Sequence, residues 1–459
     1  MFQPVRLCFI LSVVFVLTVF FQNTAISENS RVITLEQAYR TALEENEDIR
    51  ISRQEINQAE HDITSATSAL YPQLTVRGAY TREKELGSGS APKDTGGAPT
   101  GAGGAGGIEP PTEYSTLTFS LDQHIYQWGK VWSGRKMARR YYEGSRLRHA
   151  RQAQEILYQI SVNFYEALLA RKSIEIAETA LERAVLQAEQ ARGRFEAGVI
   201  TRTDVLRAEV QVAQSNEELE RAKNDYDIAL ENLALEMGVE LTPEDLKEPA
   251  ELSFSRQPVS ELFERALANR RDYSQTEKQI QGAEERVDFE KADFFPNISI
   301  TGEYIRTDEK DLFSGEEDNW KAGLVISYPL FTGWKNSAEL SKAKSEKSQA
   351  RYRLARLRKQ IRNEVRRVYL DIQTQQKVIA QLEKQVDSAK RNYRETTARF
   401  KQGMVTAVDQ VDAFTALNEA ENRLAQAYYT YQVDLLRLEI ATGTFQNELL
   451  EKEILNETG

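Results

Sequence analysis

The spacing of hydrophobic and polar positions changes twice along the first half of the chain, and the second half repeats the series. Leu35 to Leu70 is rich in Ala, Glu, Gln, Arg and Leu and is stopped by Pro72, the composition and punctuation of a helix. Leu74, Val76, Gly78 and Tyr80 then alternate with Thr75, Arg77, Ala79 and Thr81. Leu117, Phe119 and Leu121 likewise alternate with Thr116, Thr118, Ser120 and Asp122. Period two predicts strands with one apolar and one polar face, here paired as a hairpin. Gly129 to Arg194 follows as 66 residues without proline, a predicted helix of about 100 Å. A shorter helix is expected from about Arg202 to Met237, ended by Gly238.

The second series has the same members. Val259 to Phe294 predicts a helix stopped by Pro296. Ile298, Ile300 and Tyr304 alternate with Ser299, Thr301 and Glu303. Trp320, Ala322, Leu324, Ile326, Tyr328 and Leu330 form an apolar row opposite Lys321, Gly323 and Ser327. A long helix over Trp334–Arg399 and a short one over about Ala407–Thr442, ended by Gly443, complete the set.

The correspondence is residue by residue. Arg194, Phe195, Gly198, Thr201, Asp204 and Ala208 recur as Arg399, Phe400, Gly403, Thr406, Asp409 and Ala413, each 205 residues later. Nearer the start, Pro72, Gly78 and Tyr80 recur as Pro296, Gly302 and Tyr304, each 224 residues later. The difference of 19 residues falls between Tyr80 and Ile125, where Gly87 to Gly107 is a Gly/Ala/Pro/Ser tract of loop composition. The chain is therefore two copies of one unit. The expected segments are a signal at 1–27, a first repeat at 28–238, an inter-repeat segment at 239–258, a second repeat at 259–443 and a tail at 444–459.

In the first long helix, Leu157, Ile160, Phe164, Ala167, Arg171, Ile174, Glu178, Leu181, Val185 and Ala188 follow alternating three and four spacing, a coiled-coil-like seam with charged interruptions. More than one other side is polar, as in the wall of a hollow tube. Two short helices of about 54 Å each, placed end to end, match one long helix.

Tyr71, Tyr80, Tyr114, Tyr126 and Trp128 bracket the first strand pair. Phe295, Tyr304, Trp320, Tyr328 and Trp334 bracket the second. Aromatics at both ends of alternating strands mark a lipid-facing barrel wall. A soluble sandwich also carries edge aromatics, but the neighbouring helices leave no second sheet to cover the apolar face. Four strands cannot close a membrane barrel, which begins at about eight, and open edges are not tolerated in lipid. Several copies must then pool their strands.

Composition narrows the function. The chain has 459 residues and a net charge of −11, the wrong sign for nucleic acid. After the N-terminus no stretch approaches the roughly 20 apolar residues of a spanning helix. Leu7 to Phe21 is apolar, preceded by Arg6 and followed by small residues at Ala25 and Ser27, the pattern of a secretory signal; an uncleaved anchor is the alternative. The single cysteine, Cys8, lies inside it, so the mature chain offers no disulfide or thiolate chemistry. His61, His124 and His149 are scattered, and His61 and His149 are expected on helix surfaces. No nucleophile–base pair, phosphate loop or metal spacing is present, so neither catalysis nor a cofactor is expected.

The order helix, hairpin, long helix, Arg-Phe-x-x-Gly-x-x-Thr-x-x-Asp-x-x-x-Ala turn, short helix, all duplicated, resembles the TolC-like outer membrane efflux proteins. The resemblance covers about Arg31 to Gly443. It implies an α+β membrane protein, a homotrimer with a twelve-stranded barrel in outer-membrane lipid and a helical tunnel through the periplasm. It further implies an export duct of a Gram-negative bacterium, working with a periplasmic adaptor and an inner-membrane pump of RND or ABC type. Gly198, Val199, Thr201, Gly403, Met404 and Thr406 would be the tips that meet the adaptor. Asp409 and Asp412 would form stacked anionic rings in the pore, their pKa values raised by crowding. Asp204 matches a gate residue whose usual arginine partner is replaced here by Val405, leaving Arg202 and Arg399 as candidates. A periplasmic coiled-coil scaffold without a pore, or an open passive porin, are the competing readings.

Overall fold

Each half of the chain folds into the element series its periodicity predicts, except that the first helix of each is split in two. The computed structural model describes residues 32–83, 112–239, 246–308 and 317–456; the expected signal segment and the Gly-rich tract lie outside them. The first repeat holds α1 (Leu35–Glu45), α2 (Glu47–Thr67), β1 (Gln73–Glu83), β2 (Thr112–Tyr126), α3 (Lys130–Glu196) and α4 (Arg202–Met237). The second holds α5 (Val259–Asn269), α6 (Arg271–Ala292), β3 (Asn297–Asp308), β4 (Glu317–Ser327), α7 (Lys335–Lys401) and α8 (Ala407–Thr442). A last helix, α9 (Asn447–Asn456), forms the tail. Both long helices have 67 residues and both short ones 36. No helix among the described residues is long and apolar enough to cross a membrane.

Two units can be distinguished: residues 1–46, 156–255 and 371–436, and residues 47–155, 256–370 and 437–459. The first contains the helix turns and the described inter-repeat residues 246–255. There Ile33 bridges Leu246 in parallel, and Arg171 Nη1 donates to the Leu246 carbonyl at 2.5 Å. Tyr428 and Tyr429 donate to Glu251 and Glu248 at 2.7 and 3.1 Å. The inter-repeat segment is thus strapped to α3 and α8 by side chains from both repeats.

The second unit contains the sheet, ordered β1-β2-β3-β4 and antiparallel throughout. The two hairpins expected from the sequence are joined by the pairing of β2 with β3. Register places Leu74 opposite Leu121 and Val76 opposite Phe119. It places Phe119 opposite Tyr304, Ile300 opposite Leu324 and Ile298 opposite Ile326. The apolar rows therefore fuse into one face across four strands. β1, β3 and β4 have 11, 12 and 11 residues, close to the 9–11 or so a tilted strand needs to span lipid. In the same unit, Leu262, Phe263 and Ala266 of α5 pack with Ile361 and Val365 of α7 and Ala441 of α8. In the tail Phe445 is buried, and its carbonyl accepts from Gln154 Nε2 at 2.9 Å.

The structure corrects three expectations. The runs Leu35–Leu70 and Val259–Phe294 are each broken, at Asn46 and Arg270, whose ψ angles of 126° and 120° leave the helical region. These positions are 224 apart and so equivalent. In the first unit Asn46 Nδ2 donates to the Glu236 carbonyl at 2.8 Å. In the second, the Arg270 guanidinium reaches Asp272, Glu364 and the Ala441 carbonyl. In both places a side chain at the break is spent on the end of a short helix, so the short helix abuts the break rather than the start of the preceding run. Second, the α3 seam is buried from Leu157 to Ala167, but Glu178 and Val185 are exposed. Ala188 of the seam is buried as expected, but Ala177, Ala180, Ala184 and Ala191 are buried beside it, so the helices close on a row of small residues. Third, His149 is buried, not on the surface: its Nδ1 lies 2.7 Å from the Ser52 hydroxyl, which itself donates to the Ile49 carbonyl.

Candidate functional site

The two helix turns are built from the same bonds. At the end of α3, the Gly198 N–H bonds the Phe195 carbonyl and the Val199 N–H bonds the Arg194 carbonyl, both at 2.9 Å. At the end of α7, the Gly403 N–H bonds Phe400 at 2.9 Å and the Met404 N–H bonds Arg399 at 3.0 Å. This closure satisfies the last carbonyls of a helix but needs positive φ. Gly198 and Gly403 supply it at +70° and +75°.

The following helices open on matching caps. Thr201 N–H and its hydroxyl donate to Asp204 Oδ2 at 3.0 and 2.7 Å, and the Asp204 N–H returns to the threonine oxygen. Thr406 and Asp409 repeat this at 2.8 and 2.7 Å. The arrangement is a capping box with aspartate at the third position. It explains why Thr and Asp stand three apart in both turn motifs. Hydrogen bonds from the Thr406 hydroxyl and then its N–H hold the Asp409 carboxyl below the ordinary aspartate range. Within one protomer this shift runs opposite to the one expected from a crowded ring.

Gly198, Val199, Thr201, Gly403, Met404 and Thr406 are all exposed, as are Arg202, Asp409 and Asp412. Asp204 is partly buried, and Arg207 approaches it at 3.9 Å. That is not the partner expected: Arg399 lies 3.9 Å from Glu395 on its own helix. Leu206, Val210 and Val408 leave an apolar groove between α4 and α8, lined also by Thr203, Arg207 and Val411.

One side chain the sequence reading used only as a repeat marker joins the two turns. Arg194 Nη1 donates to the Phe400 carbonyl, and its guanidinium lies over the Phe400 ring, 4.7 Å from the centroid. The repetition of Arg-Phe at both turns was the available signal. It did not say that the arginine of one turn serves the phenylalanine of the other.

The belt aromatics sort to the two ends of the sheet. Tyr80, Tyr114, Tyr304 and Trp320 lie toward the β1–β2 and β3–β4 connections, with Tyr304 opposite Trp320. Tyr126, Trp128, Tyr328 and Trp334 lie toward the helices. Trp128 stacks on Phe295 at 4.8 Å and meets Tyr126 edge-on at 5.3 Å. Tyr328 and Trp334 stand beyond the end of β4, not on it. Between the two groups Leu74, Val76, Leu324 and Ile326 are exposed.

The family model for outer membrane efflux proteins matches residues 38–239 and 262–444, one stretch per repeat. The chain is 26% identical over 343 residues to the alkaline protease secretion protein AprF of Pseudomonas aeruginosa, covering 73% of this chain and 70% of that one. It is 24% identical over 431 residues to outer membrane protein TolC of Vibrio cholerae, covering 90% and 91%. Among solved structures, the CmeC outer membrane channel of Campylobacter jejuni superposes with a TM-score of 0.76 at 18% identity, covering 92% of this chain and 89% of that one.

Proposed function

Because this chain belongs to the outer membrane efflux protein family, we propose that it is the outer-membrane exit duct of a tripartite efflux or type I secretion system. The observation that carries this reading is the four-stranded sheet, apolar and exposed on one face and, among the described residues, unpaired at both outer strands. Such a sheet is stable in lipid only when its edges close on other strands. Three copies would bring twelve strands together, within the range of membrane barrels. The aromatic groups at the two ends of the sheet would then sit at the two interfaces of the outer membrane.

Below the barrel the duplicated helices would line a periplasmic passage. The exposed turn residues Gly198, Val199, Thr201, Gly403, Met404 and Thr406 would receive the adaptor, and an inner-membrane pump would supply the energy. Asp409 and Asp412 lie three apart at the start of α8, so they share a helix face. Repeated around a pore they would favour cations and repel anions. The protein's task is conduction rather than catalysis. Its cargo would be chosen by the pump, which is in keeping with relatives named for protease secretion and for cation efflux.

Purified mature protein reconstituted in planar bilayers is expected to give discrete conductance steps and to run as an oligomer in mild detergent. A monomer without conductance would overturn the reading and favour a scaffold.

A further inference from the structure

The two turns match in sequence and in backbone bonds, yet their Arg-Phe pairs differ in surroundings. Phe400 is 3% exposed and lies beneath Arg194. Phe195, its equivalent, is 43% exposed. Arg399, the equivalent of Arg194, is exposed, and its nearest carboxylate is Glu395 on the same helix at 3.9 Å. One clasp is therefore made inside the protomer, and the two halves of a second stand open on it.

We propose that the second clasp is made between copies of this chain: Arg399 of one protomer donates to the Phe195 carbonyl of the next and covers its ring. The occupant is a second copy because the template is internal. The surface that receives Arg194 is the α7 end, at the Phe400 carbonyl and ring and beside Gly403. Its counterpart on the α3 end, with Phe195, Gly198 and Val199, has the same backbone closure. A ring in which first and second repeats alternate places each second repeat beside the first repeat of the next chain. The arginine then meets the carbonyl end of a helix, where the dipole favours a cation, and the face of an aromatic ring. Both attractions operate in the internal pair. Neither pore charge nor adaptor is involved. A closed ring of turns would thus be held by clasps of one kind, half within chains and half between them.

The inference rests on the ring proposed above, and the test separates the two. Cysteines are introduced as Arg399→Cys with Phe195→Cys, and separately as Arg194→Cys with Phe400→Cys. The only native cysteine, Cys8, lies in the N-terminal segment expected to be removed. Outer-membrane preparations are treated with a short bis-maleimide and run under denaturing conditions. The first pair is expected to shift the chain from a one-chain band to multi-chain bands, ending at the closed ring. The second is expected to stay at one chain while losing its free thiols. If the first pair stays at one chain while the untreated protein still conducts and runs as an oligomer, the clasp is refuted and the ring stands. If the untreated protein is a non-conducting monomer, the ring itself falls and the clasp with it.

Discussion

Gly443 lies so close to Arg270 that a Cβ built on the glycine would stand 2.8 Å from the Arg270 backbone nitrogen. Gly238 stands in the same relation to the other break, 3.1 Å from the Asn46 Cα by the same measure. Both glycines also hold positive φ, +70° and +73°. Two requirements therefore coincide, backbone handedness and absence of a side chain. Gly443→Ala is expected to destabilise by about 3 kcal/mol, combining left-handed strain with the clash. Gly198→Ala has the same φ but open space around it, so strain alone should cost about 1 kcal/mol. Thermal melts followed by circular dichroism should rank them in that order; equal losses would deny the close approach.

Arg270 is 5% exposed and hydrogen-bonds Asp272 at 2.8 and 3.0 Å and Glu364 at 2.7 Å. Arg270→Ala leaves the partly exposed Asp272 and Glu364 carboxylates without their common partner and is expected to cost about 2 kcal/mol. Its equivalent Asn46 makes one neutral bond at the break, so Asn46→Ala should cost about 1 kcal/mol. Chemical denaturation of the two variants would test the difference.

Burial pushes the Asp272 carboxyl up, but the Arg270 hydrogen bonds and charge outweigh it and leave the pKa below the ordinary value. A carboxyl depressed on folding stabilises fully above its unfolded pKa, about 3.9. That stability is lost as pH falls through the lower folded value. Asp272→Asn should therefore flatten the stability curve below about pH 4 and leave its shape near neutrality unchanged. An unaltered acid limb would rule out the ion pair as its source.

Leu324 and Val325 are neighbours on opposite faces of β4, and both are exposed in one protomer. Leu324→Arg places charge on the face assigned to lipid and should cost about 2–4 kcal/mol near mid-membrane. Val325→Arg, on the opposite face, should be tolerated. The readout is the fraction of each variant recovered as oligomer from outer membranes. Equal recovery would move lipid off the Leu324 face.

Asp409→Ala combined with Asp412→Ala is expected to lower cation selectivity in single-channel recordings. Asp409 also caps α8 through Thr406, so Thr406→Ala is the needed control. It should cost about 1 kcal/mol and leave the reversal potential unmoved. Selectivity unchanged in the double variant would take these carboxylates out of the pore.

Most elements were legible because each carries its own period and its own stop. The short helices run from Arg202 to Met237 and from Ala407 to Thr442, as their glycines and caps announce. The alternating strand faces also survived into the register. The breaks at Asn46 and Arg270 were not legible, since neither residue is a helix breaker. At each break the backbone meets a glycine that ends a distant helix, a tertiary contact that no local pattern encodes. Apart from Ala188, the alanine row of α3 was hidden because Ala177, Ala180, Ala184 and Ala191 read as helix-forming composition rather than as a seam. At the turns, the Thr–Asp spacing showed a cap locally, whereas the Arg194–Phe400 contact depends on tertiary placement that no local pattern encodes.

The outer strands of the sheet, β1 and β4, give the protein a kinetic character of its own. A single chain that slid into the bilayer would carry two rows of bare amides into hydrocarbon, each costing several kcal/mol. Membrane entry and subunit encounter should then be one event. Its rate should climb steeply with the number of chains waiting at the surface, and dilution should leave them stranded on the watery side.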